Sequence, residues 1–419
     1  MRQAIFPFFY EESEPQKEEL PYGRVRDTSW DYRDIQAGSG VYGIHPYPAM
    51  FHFLVVRRLL NAFSAEGDLV LDPFMGSGVV AVECLINNRN FVGYDINPLA
   101  VLIAKVRSTP IPASYLLEML RFIEINYEKV EAEEVDFPNI NYWFDKEVIS
   151  ALSKLRKSIR EISDEDARDF FLVSFSETVR KASKADYNEF KLLRRKDVSN
   201  ANVLNIFKSI SLRNIGLLDG FYREPLAHKP KITLKSKNIF EADISEESVD
   251  LVITSPPYGD SRTTVAYGQF SRLSLYWLGL EERVDRESLG SKARDITDDL
   301  PSPLLYEVLE RIKEKDQKRA REVFAFYWDL FHSINILARA VKKNRFVCFV
   351  VGNRKVKGEE LPTDKISADF FQSLGFKHLR TIVRAISNKR MPAENAPSNI
   401  KGERDFTMRQ EYIVILVKE

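Results

Sequence analysis

A Gly-rich turn follows a short apolar segment in LVLDPFMGSGVVAVECL, residues 69–85. Glycines at positions 76 and 78 let the backbone approach a ligand closely, and the start of the following helical segment provides unpaired N–H groups. No Lys-Ser/Thr pair follows, which excludes a P-loop. Asp95 ends the next apolar segment, NFVGYD, 19 positions after Gly76. An acidic residue at this distance is typical of ribose recognition, so the two motifs predict a site for a ribose-bearing cofactor.

A second motif, Ser-Pro-Pro-Tyr at residues 255–258, directly follows the apolar segment VDLVIT. Two consecutive prolines fix two φ angles and remove two N–H donors, which leaves the carbonyl of Pro256 available as an acceptor. Ser255 places a hydroxyl beside it, and Tyr258 offers a flat aromatic face. This set suits a planar ring with an exocyclic amine. An ordinary Pro-Pro turn explains the prolines but not the Ser and Tyr that flank them.

The combination of DPFMGSG and SPPY resembles the exocyclic-amino methyltransferases of nucleic acids, which modify adenine N6 or cytosine N4. Serine at the first position of the four-residue motif resembles the cytosine-N4 group. The resemblance implies a SAM-dependent N-methyltransferase, with S-adenosyl-L-methionine (SAM) as cofactor and a Rossmann-like α/β sheet that contains one reversed strand. It favours cytosine N4 in DNA slightly over cytidine N4 in structured RNA such as ribosomal RNA. Adenine N6, or a binding module that has lost catalysis, are the further alternatives.

The same resemblance implies which residues form the site. The residues expected at the cofactor are Asp72, Phe74, Gly76, Ser77, Gly78, Asp95, Asn97 and Asp243. Asp95 is expected at the ribose and Asp243 at the adenine amino group. The residues expected at the reacting amine are Ser255, Pro256, Pro257 and Tyr258. Tyr258 is expected to stack on the target base through its ring face, so that loss of its hydroxyl costs little. The segment HPYP at residues 45–48 resembles a further cofactor-side motif of the family.

The elements that must position these residues alternate between strand and helix. Residues 1–40 are expected to be irregular. Short apolar segments and helical periodicity predict βαβα in residues 69–107 and a return to α/β in residues 231–419, so residues 1–110 and 231–419 are expected to form one catalytic sheet. Residues 111–230 show apolar positions at helical spacing and almost no strand pattern. They are predicted to form an all-helical insertion that recognises the target. The alternative is that some of these helices are crossover connections that flank the sheet.

A basic run within this insertion, VRKASKADYNEFKLLRRK at residues 179–196, contains seven Lys and Arg residues. A solvated helix face is one explanation of the run. The other is a phosphate-contacting face, whose binding weakens with salt. The residues proposed for nucleic-acid contact are Arg180, Lys181, Lys184, Arg194, Arg195 and Lys196.

Composition narrows the class of protein further. The 419 residues carry 61 Lys and Arg against 61 Asp and Glu, so a uniformly basic nucleic-acid binder is excluded. Two cysteines exclude a disulfide framework and favour a reducing, cytoplasmic compartment. Neither lies in a Pro-Cys context, so methylation of cytosine C5 through a cysteine nucleophile is not expected. The five histidines show no ligand spacing, and no segment resembles a leader or a membrane span, so neither a metal nor a membrane partner is expected.

Overall fold

The computed structural model describes residues 17–195, 201–222, 229–259, 266–282, 284–386, 394–395, 405–406 and 409–419. The strands in these residues are β1 (Lys17–Leu20), β2 (Arg24–Asp27), β3 (Leu69–Asp72), β4 (Asn90–Asp95), β5 (Ile232–Ser236), β6 (Val249–Thr254), β7 (Val341–Val351), β8 (Arg354–Val356), β9 (Glu359–Leu361), β10 (Phe376–Ala385), β11 (Glu394–Asn395), β12 (Asp405–Phe406) and β13 (Gln410–Lys418). The small pairs β8–β9 and β11–β12 stand apart from the main sheet.

The main sheet has the strand order β1-β2-β10-β13-β7-β6-β3-β4-β5 within the described residues. Strands β5, β4, β3, β6 and β7 are parallel neighbours, and β13 lies antiparallel between β7 and β10. Strand β6 is buried along its whole length, as expected of a parallel strand covered on both faces. This order confirms the predicted Rossmann-like methyltransferase sheet with a reversed strand.

The helices in the described residues are α1 (Phe53–Phe63), α2 (Val79–Ile86), α3 (Pro98–Arg107), α4 (Ala113–Lys129), α5 (Ile140–Trp143), α6 (Lys146–Arg160), α7 (Glu165–Ala182), α8 (Val203–Phe221), α9 (Tyr267–Leu278), α10 (Val284–Glu287), α11 (Pro303–Lys315), α12 (Gln317–Ala340) and α13 (Thr363–Ser373). Short 3-10 helices cover Thr28–Trp30, Gly40–Gly43 and Ile239–Glu241. Pro98 at the first position of α3 and Asn97 as its N-cap explain why that helix begins where it does.

The sheet separates two apolar cores because successive side chains of a strand point to opposite faces. Along β13, Ile413 and Ile415 belong to the core with α1, α2 and α3, whereas Val414 and Leu416 belong to the core with α11, α12 and α13. The alternation fixes the register of the reversed strand, since a slip of one residue would exchange the two faces.

In the described part of residues 113–221 the regular elements are the helices α4 to α8, and the backbone bridge between Ala185 and Arg194 is isolated. These helices share the core of α1, α2 and α3 rather than forming one of their own. A buried hydrogen bond from the Ser274 hydroxyl of α9 to the carbonyl of Ser176 in α7, 3.0 Å long, illustrates the continuity. The division of the chain at residues 110 and 230 stays a prediction, because no separate core marks it.

Glycine 78 is required by packing at the start of α2. Its φ is +81°, and a Cβ there would lie 2.5 Å from the Cβ of Ala104 in α3. We expect Gly78→Ala to lower the free energy of unfolding by about 1–3 kcal/mol from overpacking, in addition to about 1–2 kcal/mol of backbone strain. Urea unfolding followed by circular dichroism measures the sum.

The matched control is Gly67→Ala. Gly67 has nearly the same φ, +83°, but no atom lies within 4 Å of the point that a Cβ would occupy. This variant should lose only the backbone contribution. Equal losses in the two variants would mean that the contact with Ala104 contributes nothing.

Candidate active site

Three parallel strands end side by side at the carboxyl edge of the sheet. Strand β3 ends at Asp72, β4 ends at Asp95, and β6 ends at Thr254 immediately before Ser255. The hydroxyl of Thr254 donates to Oδ1 of Asp72 at 2.6 Å, and the backbone N–H of Phe74 donates to the same oxygen at 3.1 Å. The strand order therefore brings the two sequence motifs into direct contact across 182 residues of chain.

Asp95 orients the Gly-rich turn. Its Oδ2 accepts the N–H of Gly76 at 2.9 Å, and its Oδ1 accepts the N–H of Asn97 at 2.7 Å. Each carboxylate oxygen has a further lone pair, so both can still accept a hydrogen bond from a ligand. Gly76 lies at the cavity, with a φ of +49°. Gly78 packs against Ala104 and is not among the residues that line the cleft, so a close approach of a ligand to Gly78 stays a prediction.

A cleft lies at this edge, with about 940 Å³ of empty space when the part open to solvent is counted. The predicted residues that line it are Asp72, Phe74, Gly76, Ser77, Asp95, Asn97, Ser255 and Pro257. The predicted residues outside its lining are Gly78, Asp243, Pro256 and Tyr258. The cofactor motif and the first residue of the SPPY motif therefore share one cleft.

The prediction for Asp243 is corrected by the structure. Asp243 is exposed and lies beyond the 3-10 helix that follows β5, where its carbonyl accepts the Tyr94 hydroxyl at 3.4 Å. Asn238 lines the cleft instead, and its Oδ1 caps the 3-10 helix by accepting the N–H of Phe240 at 3.2 Å. A polar residue just after the strand next to β4 was the available signal, and sequence reasoning passed over it.

Two tyrosines complete the cleft. Tyr47, from the HPYP segment, stacks on Tyr267 at the start of α9, with ring centroids 5.9 Å apart. The side-chain amide of Asn97 donates to the Tyr47 hydroxyl at 3.1 Å and to the Ser271 hydroxyl at 2.8 Å. Asn97 is buried and ties α3, α9 and the HPYP segment together.

Arg107 stabilises the Gly-rich turn on the side away from the cleft, and its side chain is completely buried. Its guanidinium donates to the hydroxyl and carbonyl of Ser77, at 2.7 and 3.1 Å, and to the carbonyls of Tyr42 and His45. Burial lowers the pKa of Arg107 to about 9, so it stays charged at neutral pH. The Gly-rich turn and the segment before Tyr47 are therefore fixed by one side chain.

The basic run does not form one phosphate-contacting face. Arg180 is buried, donates to the carbonyls of Phe270 and Glu189 at 2.8 and 2.9 Å, and lies over the Phe270 ring. Burial lowers its pKa to about 10. The prediction that Arg180 contacts nucleic acid is therefore wrong, because α7 turns this residue into the core.

The other members of the run differ in their surroundings. Lys181 pairs with Glu177 at 3.0 Å, and Lys184 pairs with Asp145 at 2.6 Å. Arg194 is exposed over the Tyr142 ring, whereas Arg195 is partly buried and donates to the Ser183 carbonyl at 3.0 Å. Lys196 lies outside the described residues. For these five residues nucleic-acid contact stays a prediction.

Comparison with known proteins identifies the family. A sequence profile described as DNA methylase, of the N6/N4 class, matches residues 2–106. The Type II methyltransferase M.MvaI of Kocuria varians is 38% identical over 408 residues, which cover 89% of this chain and 90% of that protein. The Type II methyltransferase M.BsoBI of Geobacillus stearothermophilus is 23% identical and covers 80% of this chain and 78% of its own length.

This chain belongs to the N4/N6 family of SAM-dependent DNA methyltransferases. A SAM-dependent methyltransferase from Methanosarcina mazei, 10% identical, covers 86% of this chain and 96% of its own, but its TM-score of 0.30 is too low for a structural argument. The fold assignment rests on the strand order itself. Within the described ranges, no helix is both long and apolar enough to cross a bilayer, and no group of three or more His, Cys, Asp or Glu could hold a metal ion.

The charges of the cleft fit the family's cofactor, SAM. In the described part of the chain, Asp72 and Asp95 are hydrogen-bonded by neutral donors alone. Burial raises the pKa of Asp72 to about 7 and that of Asp95 to about 6. Such carboxylates gain from a cationic ligand, because an opposite charge favours their ionised form. SAM carries a sulfonium and an ammonium group, and the sulfonium supplies the methyl group when the cofactor is bound.

We expect Asp95→Ala to weaken SAM binding roughly tenfold to a hundredfold, since lost acceptors leave ribose hydroxyls unpaired at about 1–3 kcal/mol. The two carboxyl groups are neutral below their raised pKa values of about 7 and about 6. SAM affinity should therefore fall as the pH is lowered from 8 to 5. The pH dependence should be shallower in Asp95→Ala, and isothermal titration calorimetry measures both effects.

The matched control is Asp243→Ala, which removes an exposed carboxylate outside the cleft and should bind SAM like the wild type. In the absence of cofactor, the stability of the fold depends on pH in the opposite direction to SAM affinity. The raised pKa values mean that these two groups stabilise the fold most at low pH and lose that contribution as the pH rises through about 6 and 7. An affinity that is independent of pH in the wild type would remove both carboxylates from the cofactor site.

Proposed function

We propose that the protein transfers the methyl group of SAM to the exocyclic N4 of cytosine in DNA. The observation that carries this proposal is the position of Ser255, which lines the same cleft as Asp72 and Asp95. The Thr254–Asp72 hydrogen bond, 2.6 Å long, fixes the start of the SPPY motif against the cofactor motif. A reacting amine at Ser255 would therefore lie beside the methyl donor.

The SPPY residues suit a poor nucleophile. The lone pair of an exocyclic amine is delocalised into the ring, so the nitrogen must become pyramidal before it can attack. We propose that the hydroxyl of Ser255 and the carbonyl of the adjacent Pro256 favour this geometry by holding the two amine hydrogens, and of the two residues Ser255 is the one that lines the cleft. Groups aimed at a transition state in this way are typically worth about 3–4 kcal/mol each. The target base must leave its stack to reach them.

Cytosine N4 is favoured over the other positions by two features of the chain. Ser255 stands at the first position of the four-residue motif, as in the cytosine-N4 group that the sequence resembles. Methylation of C5 would need a reactive thiolate, but Cys84 and Cys348 are both fully buried, and burial raises the pKa of each thiol. The chemistry is therefore direct transfer without a covalent enzyme intermediate.

DNA is favoured over RNA by the relatives. The matching profile is described as DNA methylase, and M.MvaI and M.BsoBI are named Type II methyltransferases. The alternative of ribosomal RNA has no comparable support in this chain. Adenine, methylated at N6, remains the alternative target base, because the family includes enzymes for cytosine N4 and for adenine N6.

The test is to incubate the protein with SAM and unmethylated genomic DNA or total RNA, and to analyse the nucleosides by mass spectrometry. We expect N4-methylcytosine in DNA. Ser255→Ala should lower turnover by roughly a hundredfold while SAM affinity changes little, because the hydroxyl acts on the amine. N6-methyladenine as the product, methyl groups on RNA alone, or a covalent adduct with 5-fluorocytosine DNA would each contradict the proposal.

DNA contact is expected from the exposed part of the basic run. The N–H of Leu192 donates to the side chain of Gln269 at 3.3 Å, which places this segment against α9 two residues from Tyr267 at the cleft. We expect Arg194→Glu to weaken DNA binding and to reduce the log–log salt slope by about 1, with SAM binding unchanged. Fluorescence anisotropy at several salt concentrations measures both quantities.

Lys343→Glu is the matched control. Lys343 is an exposed cation near the start of β7, at the amino edge of the parallel strands and so opposite to the cleft. The Lys343→Glu variant should bind DNA with nearly the wild-type affinity and with an unchanged salt slope. Equal effects of the two charge reversals would mean that the basic run does not bind DNA.

A further inference from the structure

The hydroxyl of Tyr258 lies in a chain of hydrogen bonds that leads away from the cleft. Ser255 Oγ donates to Tyr258 Oη at 3.1 Å, and Tyr258 Oη donates to Oε1 of Glu411 at 3.1 Å. Ser255 lines the cleft, whereas Tyr258 does not. The chain thus starts at the position expected for the reacting amine and ends at a carboxylate on β13.

Glu411 is held in place from its far side. Arg384, directly opposite on β10, donates to Oε2 of Glu411 at 2.6 Å. The Arg384 side chain is almost completely buried and is itself anchored by the carbonyl of Trp30 at 2.9 Å. The Glu411 side chain keeps 18% of its surface exposed, so a proton that it receives has a route to solvent.

Other titratable groups of the described residues also face Glu411. Besides Arg384 and Tyr258, the imidazole of His52 at the start of α1 interacts electrostatically with both Glu411 and Arg384. Burial and the nearby Glu411 carboxylate raise the pKa of the Tyr258 hydroxyl well above its ordinary value. Tyr258 therefore stays protonated and acts as a donor to the carboxylate.

We propose that Glu411 is the terminal proton acceptor of a relay that begins at the exocyclic amine and passes through Ser255 and Tyr258. The inference rests on the proposed methylation of an exocyclic amine. In the transfer, the amine lone pair forms the new N–C bond while the S–C bond pair stays on sulfur. The nitrogen, now cationic, must lose one proton.

The relay accounts for that proton. The amine N–H gives its proton to Ser255 Oγ as the Ser255 proton passes to Tyr258 Oη and the Tyr258 proton passes to Glu411. The amine nitrogen returns to neutrality, both hydroxyls are restored, and Glu411 ends as a neutral carboxylic acid that solvent reionises. No oxidant or further reactant is needed. Glu411 acts through two other side chains and is a positioning residue at the end of the chain.

This inference replaces one expectation from the sequence. A Tyr258 that acts only through its ring face would lose little on removal of its hydroxyl. In the structure the hydroxyl joins Ser255 to Glu411, and the residue lies outside the cleft lining. The two interpretations therefore predict opposite results for Tyr258→Phe.

The experiment measures single-turnover methyl transfer to DNA for Glu411→Gln, Tyr258→Phe and the double variant. Each single change should lower the rate roughly a hundredfold, the lower end of general acid–base contributions. The double variant should be no slower than either single variant, because all three interrupt the same relay. The dissociation constants of each variant for SAM and for DNA should stay within about twofold of the wild-type values. A merely structural role would change them as well.

Tyr412→Phe is the matched control, since it removes a hydroxyl from the next residue of the same strand and should transfer methyl groups at the wild-type rate. Wild-type rates in Tyr258→Phe or Glu411→Gln, or additive losses in the double variant, would overturn the relay. Tyr258→Phe tests the relay even if Glu411→Gln fails to fold.

Nucleoside analysis of the same reactions distinguishes failure of the relay from failure of the proposed function. An absent or non-amino methyl product in the wild type refutes the proposed function, whereas unaffected variants with the expected product refute the relay alone.

Discussion

One buried hydrogen bond, from Thr254 to Asp72, joins the two halves of the site. It forms because β3 and β6 are parallel neighbours, so that both strands end at the same edge of the sheet. Such a hydrogen bond contributes about 0.5–1.5 kcal/mol when the Asp72 carboxyl is neutral and about 1.5–3 kcal/mol when it is ionised, but its geometric effect is greater than its energy. The same Asp72 oxygen also accepts the N–H of Phe74 at the start of the Gly-rich turn. The Gly-rich turn and the strand end before the SPPY motif are therefore both positioned by one oxygen atom of Asp72.

Arg107 extends this constraint to segments that the sheet does not reach. A buried guanidinium whose partners are all neutral oxygens is costly to desolvate, so its four contacts must be made together. They join the end of α3 to Ser77 and to the segment that precedes Tyr47. Segments held together in this way lower the ordering cost of binding a ligand.

The sequence was informative wherever a motif directly followed a strand. Asp72, Asp95 and Ser255 each occupy a strand end, and parallel strand ends must meet at one edge, so their proximity was predictable from the βα pattern. Asp243 was misplaced because it lies beyond Asn238, and the intervening 3-10 helix carries it out to solvent. Arg180 was misassigned for a different reason. A run of charges identifies a basic segment but not which of its side chains the tertiary packing of α7 turns inward.

The reversed strand has a chemical consequence that its apolar sequence does not suggest. Parallel strands present their last residues at the carboxyl edge, whereas an antiparallel neighbour presents its first. Tyr412 lies opposite Val351, the last residue of β7, so Glu411 is located just past the end of that strand. A parallel strand in this place would instead have put Lys418, its last residue, at this edge. The parallel strands thus bring the acceptors and N–H groups of the proposed cofactor site to this edge, and the reversed strand brings there the carboxylate that we propose receives the proton.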